Sequence, residues 1–403
     1  MNEAAAHGAR SLTAADFRKE LPRLHARAIE HRRHLHQYPE LSGVEHQTTC
    51  YIEQQLRAMG VRILPFPGPG LVAQIDAERP LAPVIALRAD IDALPVTEDD
   101  SKPVVSQHRG IAHACGHDGH TGILLATAEW MAAHRDRLSA SVRLIFQSSE
   151  EQIPSGAQRL VQSDVLADVE HIFGLHLWRD LPVGQVGIAE GAMMASTDDF
   201  DITLSGPGGH GGTPHKSVDV IVAAARLVLD FQTIVARQQD PLHPLVISVG
   251  HFQAEGNHNV MPAQALIRGT VRALDPVTQA AAQGWVTDAA LVAADHSGAT
   301  VDIDYQNGTP PLINDSAAAQ YVAEAARRSC LSAAVTSLSP VMGGEDFSFY
   351  LEQVPGAFAF IGMGGPKSQH AHHTPKFDVD EDTLGTGIEL MVGIVADYRS
   401  EQR

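Results

Sequence analysis

Five residues able to hold a metal or move a proton fall within eight positions, in His113-Ala114-Cys115-Gly116-His117-Asp118-Gly119-His120. Cys115 and His117 stand two apart, so an extended loop could turn both toward one ion. A thiolate with an imidazole suits Zn²⁺ best, and Mn²⁺, Co²⁺ or Ni²⁺ stay open. A short Cys/His cluster alone is only a compositional hint. Its weight comes from partners elsewhere. An apolar run at 142–146 leads into Gln147-Ser148-Ser149-Glu150-Glu151. A second, at 172–177, carries His176, and a third, at 84–87, leads into Arg88-Ala89-Asp90-Ile91-Asp92. Toward the C-terminus stands His370-Ala371-His372-His373-Thr374-Pro375. If the runs are strands of one open α/β sheet, these groups gather at its carboxyl edge, where such sheets bind ligands.

The adjacent glutamates have a specific logic. Glu150 and Glu151 repel each other unless one is neutralised. A metal ion neutralises one, and the other becomes available as a general base toward metal-bound water. Two further segments bear polar groups. Residues 206–215 form a glycine-rich turn with His210 and His215. Glycine lets a backbone approach a ligand closely, but no Gly-Lys-Ser/Thr follows, so this is not a phosphate loop. Residues 257–262 precede a run containing Arg268 and Arg272. An asparagine with an arginine can hold a carboxylate.

The elements that must position these groups follow from periodicity. Thr13 and Asp16 fit the start of a helix reaching about residue 34, and a second helix over 44–59 ends at Gly60. Strands are expected at 71–75, 84–87, 142–146 and 172–177, with a helix over 121–134. Strands alternating with helices imply an α/β fold with a mixed sheet and helices on its faces. Beyond residue 195 the pattern changes. A strand at 199–204, a helix at 218–237, strands at 245–252 and 265–274, a helix at 278–295 and a strand at 300–305 make β-α-β-β-α-β, the ferredoxin-like order. The chain is therefore expected to form one domain from residues 1–194 and 311–403, with residues 195–310 inserted as an α+β domain. Residues 1–11 read as a loose polar tail.

Composition narrows the function classes. A chain of 403 residues exceeds one ordinary core, so two domains are expected. The formal net charge of −19 disfavours nucleic acid and anionic membranes as partners, since both need a basic face. Three widely spaced cysteines, Cys50, Cys115 and Cys330, make no disulfide framework and fit a reducing compartment. No secretory signal is read in residues 1–15, and no run nears the ~18 apolar residues of a membrane span. A cytoplasmic protein is expected.

Taken together, the motifs resemble the dinuclear metallopeptidase-like amidohydrolases: hippurate hydrolases, aminoacylases, auxin-conjugate hydrolases and related carboxypeptidases. The resemblance runs from about Arg32 to Asp380. It rests on His34-Leu35-His36-Gln37-Tyr38-Pro39-Glu40-Leu41, on Arg88-Ala89-Asp90-Ile91-Asp92-Ala93-Leu94-Pro95 and on the 113–120 and 147–151 segments. It rests also on Gly174-Leu175-His176, residues 209–215 and 259–262, Gly343-Gly344-Glu345-Asp346-Phe347 and His373-Thr374-Pro375. It implies a phosphorylase/hydrolase-like catalytic domain with an inserted lid that also forms a homodimer interface. It implies two divalent ions on Cys115, His117, Glu151, His176 and His373, with Glu150 as base. His210 would steady an oxyanion, and Asn259 and Arg272 would hold a substrate carboxylate. Many relatives carry a ligating His in a His-x-Asp on the first strand. Here Arg88 takes that place, Cys115 restores the ligand count, and Asp90 is expected to orient a ligand. Gln147-Ser148-Ser149 replaces the more usual Gln-Pro-Ala.

The expected activity is hydrolysis of the amide bond of N-acyl amino acids by a metal-bridging hydroxide. The rival enzyme reading is a dipeptidase or carboxypeptidase on the same site. A non-catalytic metal-binding protein would have no use for Glu150 beside Glu151. A nucleotide-binding protein would need a Gly-x-Gly-x-x-Gly after a strand, and none stands at the right place.

Overall fold

The computed structural model describes residues 14–330, 333–396 and 398. The polar tail expected at 1–11 and the helix start at Thr13 lie outside the described residues. The chain divides into two compact units. One comprises residues up to 191, 314–339 and those from 349 onward; the other comprises 192–313 and 340–348.

The first unit is built on an eight-stranded mixed sheet. Its strands are β1 (Arg62–Leu64), β2 (Leu71–Ile75), β3 (Ala82–Asp90), β4 (Ala140–Gln147), β5 (Val169–Pro182), β6 (Gln185–Ile188), β11 (Ala334–Ser337) and β12 (Gly356–Gly364). Their order across the sheet is β1-β2-β4-β3-β5-β12-β6-β11. β3 lies parallel to both β4 and β5, and β12 parallel to β5. β4 is buried along its whole length, as expected of a strand covered on both faces. The covering helices include α1 (Ala14–Gln37), α2 (His46–Ala58), α3 (His117–Ala133), α6 (Ser316–Ser329) and α7 (Thr383–Ala396).

Helix α3 is buried nearly all round and sends Ile123, Leu124, Leu125, Trp130 and Met131 into the core. A helix with no polar face belongs in an interior. It crosses α1 at Gly122, where a Cβ would lie 2.8 Å from the Ala28 carbonyl oxygen. Arg32 of α1 is 2% exposed and binds Glu381 at 2.8 Å, Asp378 at 2.6 Å and Asp118 at 3.3 Å. Three carboxylates around one buried guanidinium compensate its desolvation. They tie α1 to the start of α3 and to the segment before α7.

The second unit has four antiparallel strands: β7 (Thr197–Ser205), β8 (Leu245–Gln253), β9 (Gln264–Ala273) and β10 (Thr300–Thr309), in the order β8-β9-β7-β10. Helices α4 (Val220–Thr233) and α5 (Pro276–Ser297) pack on each other and on this sheet. Phe200, Ile202, Leu227, Phe231, Ile267 and Val286 form its core. Asp219 caps α4 through the Val222 N–H, and Asp275 caps α5 through the Thr278 N–H, each satisfying a donor the helix leaves open.

One boundary differs from expectation in a way that matters. The helix expected from 121 begins at His117. Gly116, with φ of +96°, is its N-cap. A glycine at positive φ more often closes a helix than opens one. Cys115 and His117 therefore do not share an extended loop. They stand on either side of a left-handed turn, and His117 opens the helix.

Candidate metal centre

Because β3, β4 and β5 are parallel neighbours, their carboxyl ends share one edge. Asp90 ends β3, with Asp92 two residues on. Gln147 ends β4 and leads to Glu150 and Glu151. His176 lies on β5, and the chain leaving β12 carries His373. Helix α3 starts at the same edge. There, ligand atoms of Cys115, His117 and His176 lie within 4.8 Å of one another. So do those of Cys115, Glu151 and His373, and those of His117, Glu150 and Glu151. The three trios share members, so they make one cluster. Cys115 Sγ is 3.4 Å from both His176 Nε2 and His373 Nε2. Glu151 Oε1 is 3.2 Å from His373 Nε2 and 3.9 Å from His117 Nε2.

Hydrogen bonds decide which way each imidazole faces. His117 Nδ1 donates to the Asp92 carbonyl at 3.0 Å and to Asp92 Oδ1 at 3.2 Å, leaving Nε2 as a lone-pair donor. The Leu177 peptide does the same for His176. Its carbonyl accepts from His176 Nδ1 at 2.9 Å and from His372 Nε2 at 3.0 Å. Its N–H donates to His120 Nε2 at 2.9 Å. His120 must then carry its proton on Nδ1, which meets Asp90 Oδ1 at 2.6 Å. Among the described residues, two that are not glycine adopt left-handed backbone, Ser149 at φ +57° and His373 at φ +62°. Both belong to segments bearing the cluster, where such strain is most often kept. The His373 N–H donates to the Ala114 carbonyl at 2.8 Å, joining that loop to the start of α3.

The electrostatics suit a cation. Burial, with Glu151 adding to it, pushes the Cys115 thiol well above the usual range. Burial also lowers His176 well below an ordinary imidazole, with His120 and His372 contributing. His117 goes the other way: burial opposes its charge, but Asp90, Cys115 and Asp92 outweigh that and raise it well above the usual value. Glu151 Oε1 is buried and accepts no hydrogen bond. A buried carboxylate oxygen without a donor is costly, and here it faces a thiol and two imidazoles. One soft sulfur, three imidazoles and a carboxylate fit Zn²⁺ or a similar divalent ion. The residues present fit the group.

The first unit thus brings together Cys115, His117, Glu150, Glu151, His176 and His373. Asp90 lies beside them. Its oxygens hold His120 and Arg88, the latter at 2.8 Å, and Oδ2 is 3.7 Å from His117 Nε2. Asp92 is the carboxylate on His117 Nδ1, and it also accepts the Glu151 N–H at 3.0 Å. Asp92 stands in the motif that follows β3, where its residue type alone assigns it no role. Asp90 and Asp92 share a face at a period of two, and spacing alone does not rank them. His120 belongs to the five candidate groups at 113–120 and His372 to the C-terminal His-rich segment, and the backbone of Leu177 gives each its role.

His210, Asn259 and Arg272 belong to the second unit. His210 pairs with Val260 across a two-residue ladder, and its Nδ1 accepts the Gly212 N–H at 3.0 Å. The Asn259 carbonyl accepts the Gly211 N–H at 2.8 Å, so the two segments lie side by side. Arg272 stands on β9, its guanidinium bonded to Thr270 Oγ1 and to the Val271 carbonyl.

Comparison with known proteins places this geometry in context. The model of peptidase family M20/M25/M40 matches residues 86–397. The N-acetylcysteine deacetylase of Bacillus subtilis is 40% identical over 362 residues, covering 89% of this chain and 93% of that protein. The N-acyl-L-amino acid amidohydrolase of Geobacillus stearothermophilus is 38% identical over 304 residues, 75% of this chain and 82% of that protein. Among solved structures, the Bacillus subtilis YXEP protein, described as a dinuclear metal-binding peptidase of this family, superposes with a TM-score of 0.81. It is 35% identical, with 93% of this chain and 98% of that one covered.

Proposed function

From the premise that this chain belongs to peptidase family M20/M25/M40, we propose that it is a metal-dependent amidohydrolase cleaving the amide bond of N-acyl amino acids. One observation carries the reading: ligand atoms of Glu150, Glu151 and His117 lie within 4.8 Å of one another, so a second carboxylate sits beside a cluster that Cys115, His176 and His373 complete. Storage or structural metal binding needs no such extra carboxylate. The relatives named as a deacetylase and an amidohydrolase of N-acyl amino acids support the same substrate class.

Cys115, His117, Glu151, His176 and His373 would hold two divalent ions, Zn²⁺ first and Mn²⁺, Co²⁺ or Ni²⁺ as alternatives. Such ions polarise an amide carbonyl and lower the pKa of water from ~15.7 toward about 7. Glu150 takes the proton of the attacking water and delivers it to the leaving amine. His210 donates to the developing oxyanion, where one donor is typically worth about 3–4 kcal/mol. Asn259 and Arg272 hold the substrate carboxylate, and Asp90 orients the imidazoles beside it. The inserted unit serves as lid and homodimer interface. Helix α4 supports the second role by exposing Val222 and Leu229, at 63% and 66%, an apolar stripe that one protomer leaves in water. Three unpaired cysteines favour a cytoplasmic setting.

The test is a panel of hippurate, N-acetyl amino acids and dipeptides on metal-reconstituted protein, with Glu150→Gln alongside. Acylated amino acids should be hydrolysed ahead of dipeptides. The variant should keep both metals and lose about 10²–10⁴-fold in kcat. Preference for dipeptides would move the assignment to a dipeptidase. Turnover by the variant would remove Glu150 from the base role.

A further inference from the structure

Helix α2 has an unusual beginning. Glu45 occupies its N-cap, where a short polar side chain would normally accept a helix N–H. The Glu45 side chain caps nothing. Glu40 does that work instead, accepting from the Thr48 N–H at 2.8 Å and the Gln47 N–H at 3.2 Å. The Glu45 carboxylate, 0% exposed, reaches away and takes the Ser149 N–H at 2.7 Å. Ser149 is a non-glycine residue at positive φ, and it immediately precedes Glu150. The rest of the segment is held as firmly. The Gly156 N–H donates to the Ser149 carbonyl at 2.8 Å, Ser148 Oγ donates to the Pro69 carbonyl at 2.9 Å, and Asp92 holds the Glu151 N–H. A local rule broken at one position, with a substitute cap supplied from another, marks a residue kept for a different task.

We propose that Glu45 is a positioning residue: by accepting the Ser149 N–H it maintains the left-handed turn that aims Glu150 and Glu151 at the reacting centre. A left-handed serine is unfavourable by itself, and a buried acceptor on its N–H anchors the turn, since that N–H would otherwise go unsatisfied. The Ser149 N–H is taken by Glu45 Oε1, so a glutamine oxygen at that place keeps the bond. The proposal rests on the amidohydrolase reading for its kinetic readout only.

Metal-loaded wild type, Glu45→Ala, Glu45→Gln and the double variant Glu45→Ala/Ser149→Gly should be compared on an N-acetyl amino acid. Amide hydrogen exchange of residues 147–151 is measured in parallel. In Glu45→Ala, kcat should fall about 10–100-fold with KM within about threefold, the usual effect of a small misplacement of catalytic groups. Exchange in the segment should speed up about tenfold or more. Glu45→Gln should stay within about threefold of wild type in both, because its amide oxygen still accepts. Adding Ser149→Gly should restore much of the lost kcat, because glycine takes positive φ unaided. Should the alanine variant not fold, Glu45→Asp, which keeps the charge but shortens the reach, makes the same comparison. Unchanged exchange and kcat in Glu45→Ala would overturn the proposal. So would equal damage from Gln and Ala, or no recovery with glycine. If wild type cleaves no acylated amino acid, the substrate reading fails, and the exchange data still decide the role of Glu45.

Discussion

Replacing Asp92 by Asn probes the junction between ligand and base most directly. The carboxylate is 1% exposed and serves three donors. Oδ1 takes His117 Nδ1 at 3.2 Å; Oδ2 takes the Glu151 N–H at 3.0 Å and Ser42 Oγ at 2.7 Å. Burial alone would raise its pKa, yet His117, the Glu151 N–H and Ser42 hold it below the usual carboxylate value. It is therefore ionised at neutral pH. Asparagine offers one oxygen and one NH₂. With the oxygen toward Glu151 and Ser42, the NH₂ meets the His117 N–H, donor against donor. Turned round, it meets the Glu151 N–H. Either way one buried donor loses its acceptor, at a cost of about 1–3 kcal/mol. His117 keeps its bond to the Asp92 main-chain carbonyl, which places the effect on its orientation toward the lower end. We expect metal affinity to fall about 10–100-fold, the usual result of removing a partner behind a ligating histidine, or about 1.4–2.8 kcal/mol. Competition against a chromogenic chelator measures it, and kcat at saturating metal reports the displacement of Glu150. Affinity within twofold of wild type would refute the reasoning and leave His117 oriented by the main chain alone.

Two further outcomes are expected. His210→Ala should lower kcat about 10²–10³-fold with metal content unchanged; steady-state kinetics with metal analysis checks this, and intact turnover would remove His210 from the reaction. Burial raises Glu389 of α7 to about 7 from 4.5. The folded chain then keeps a proton that the unfolded chain releases, so stability falls as pH rises from about 4.5 to 7 and stays lower above. Glu389→Gln should therefore be more stable than wild type at pH 8, by about 1–2 kcal/mol after allowance for partial solvation, and should match wild type at pH 4.5. An equal gap at both pH values would count against this linkage.

Much of the site was legible because strands declare themselves by apolar runs and parallel strands share an edge. The run at 142–146 lies inside β4, and Glu150 and Glu151 follow its end. The start of α3 was not legible, because Gly116 opens a helix that its residue type would be expected to close. The rank of Asp92 over Asp90 was not legible either, since it depends on which carboxylate the first residue of α3 meets. The work of His120 and His372 passes through a peptide group, and no side-chain spacing records that. Glu45 falls at the start of the helix expected over 44–59, and only the contacts of Glu40 show that its side chain is released from capping.

The place of β12 has a consequence for how the protein is made. Residues 356–364 lie between β5 and β6, which end at residue 188. During vectorial synthesis the strand bearing His176 therefore emerges with an unpaired edge, and some 170 residues must follow before its neighbour exists. Naked strand edges invite association with other chains. Pairings distant along the chain also form slowly. The nascent polypeptide thus passes through a long interval with that edge bare, and His373, which follows the late strand, joins the cluster last.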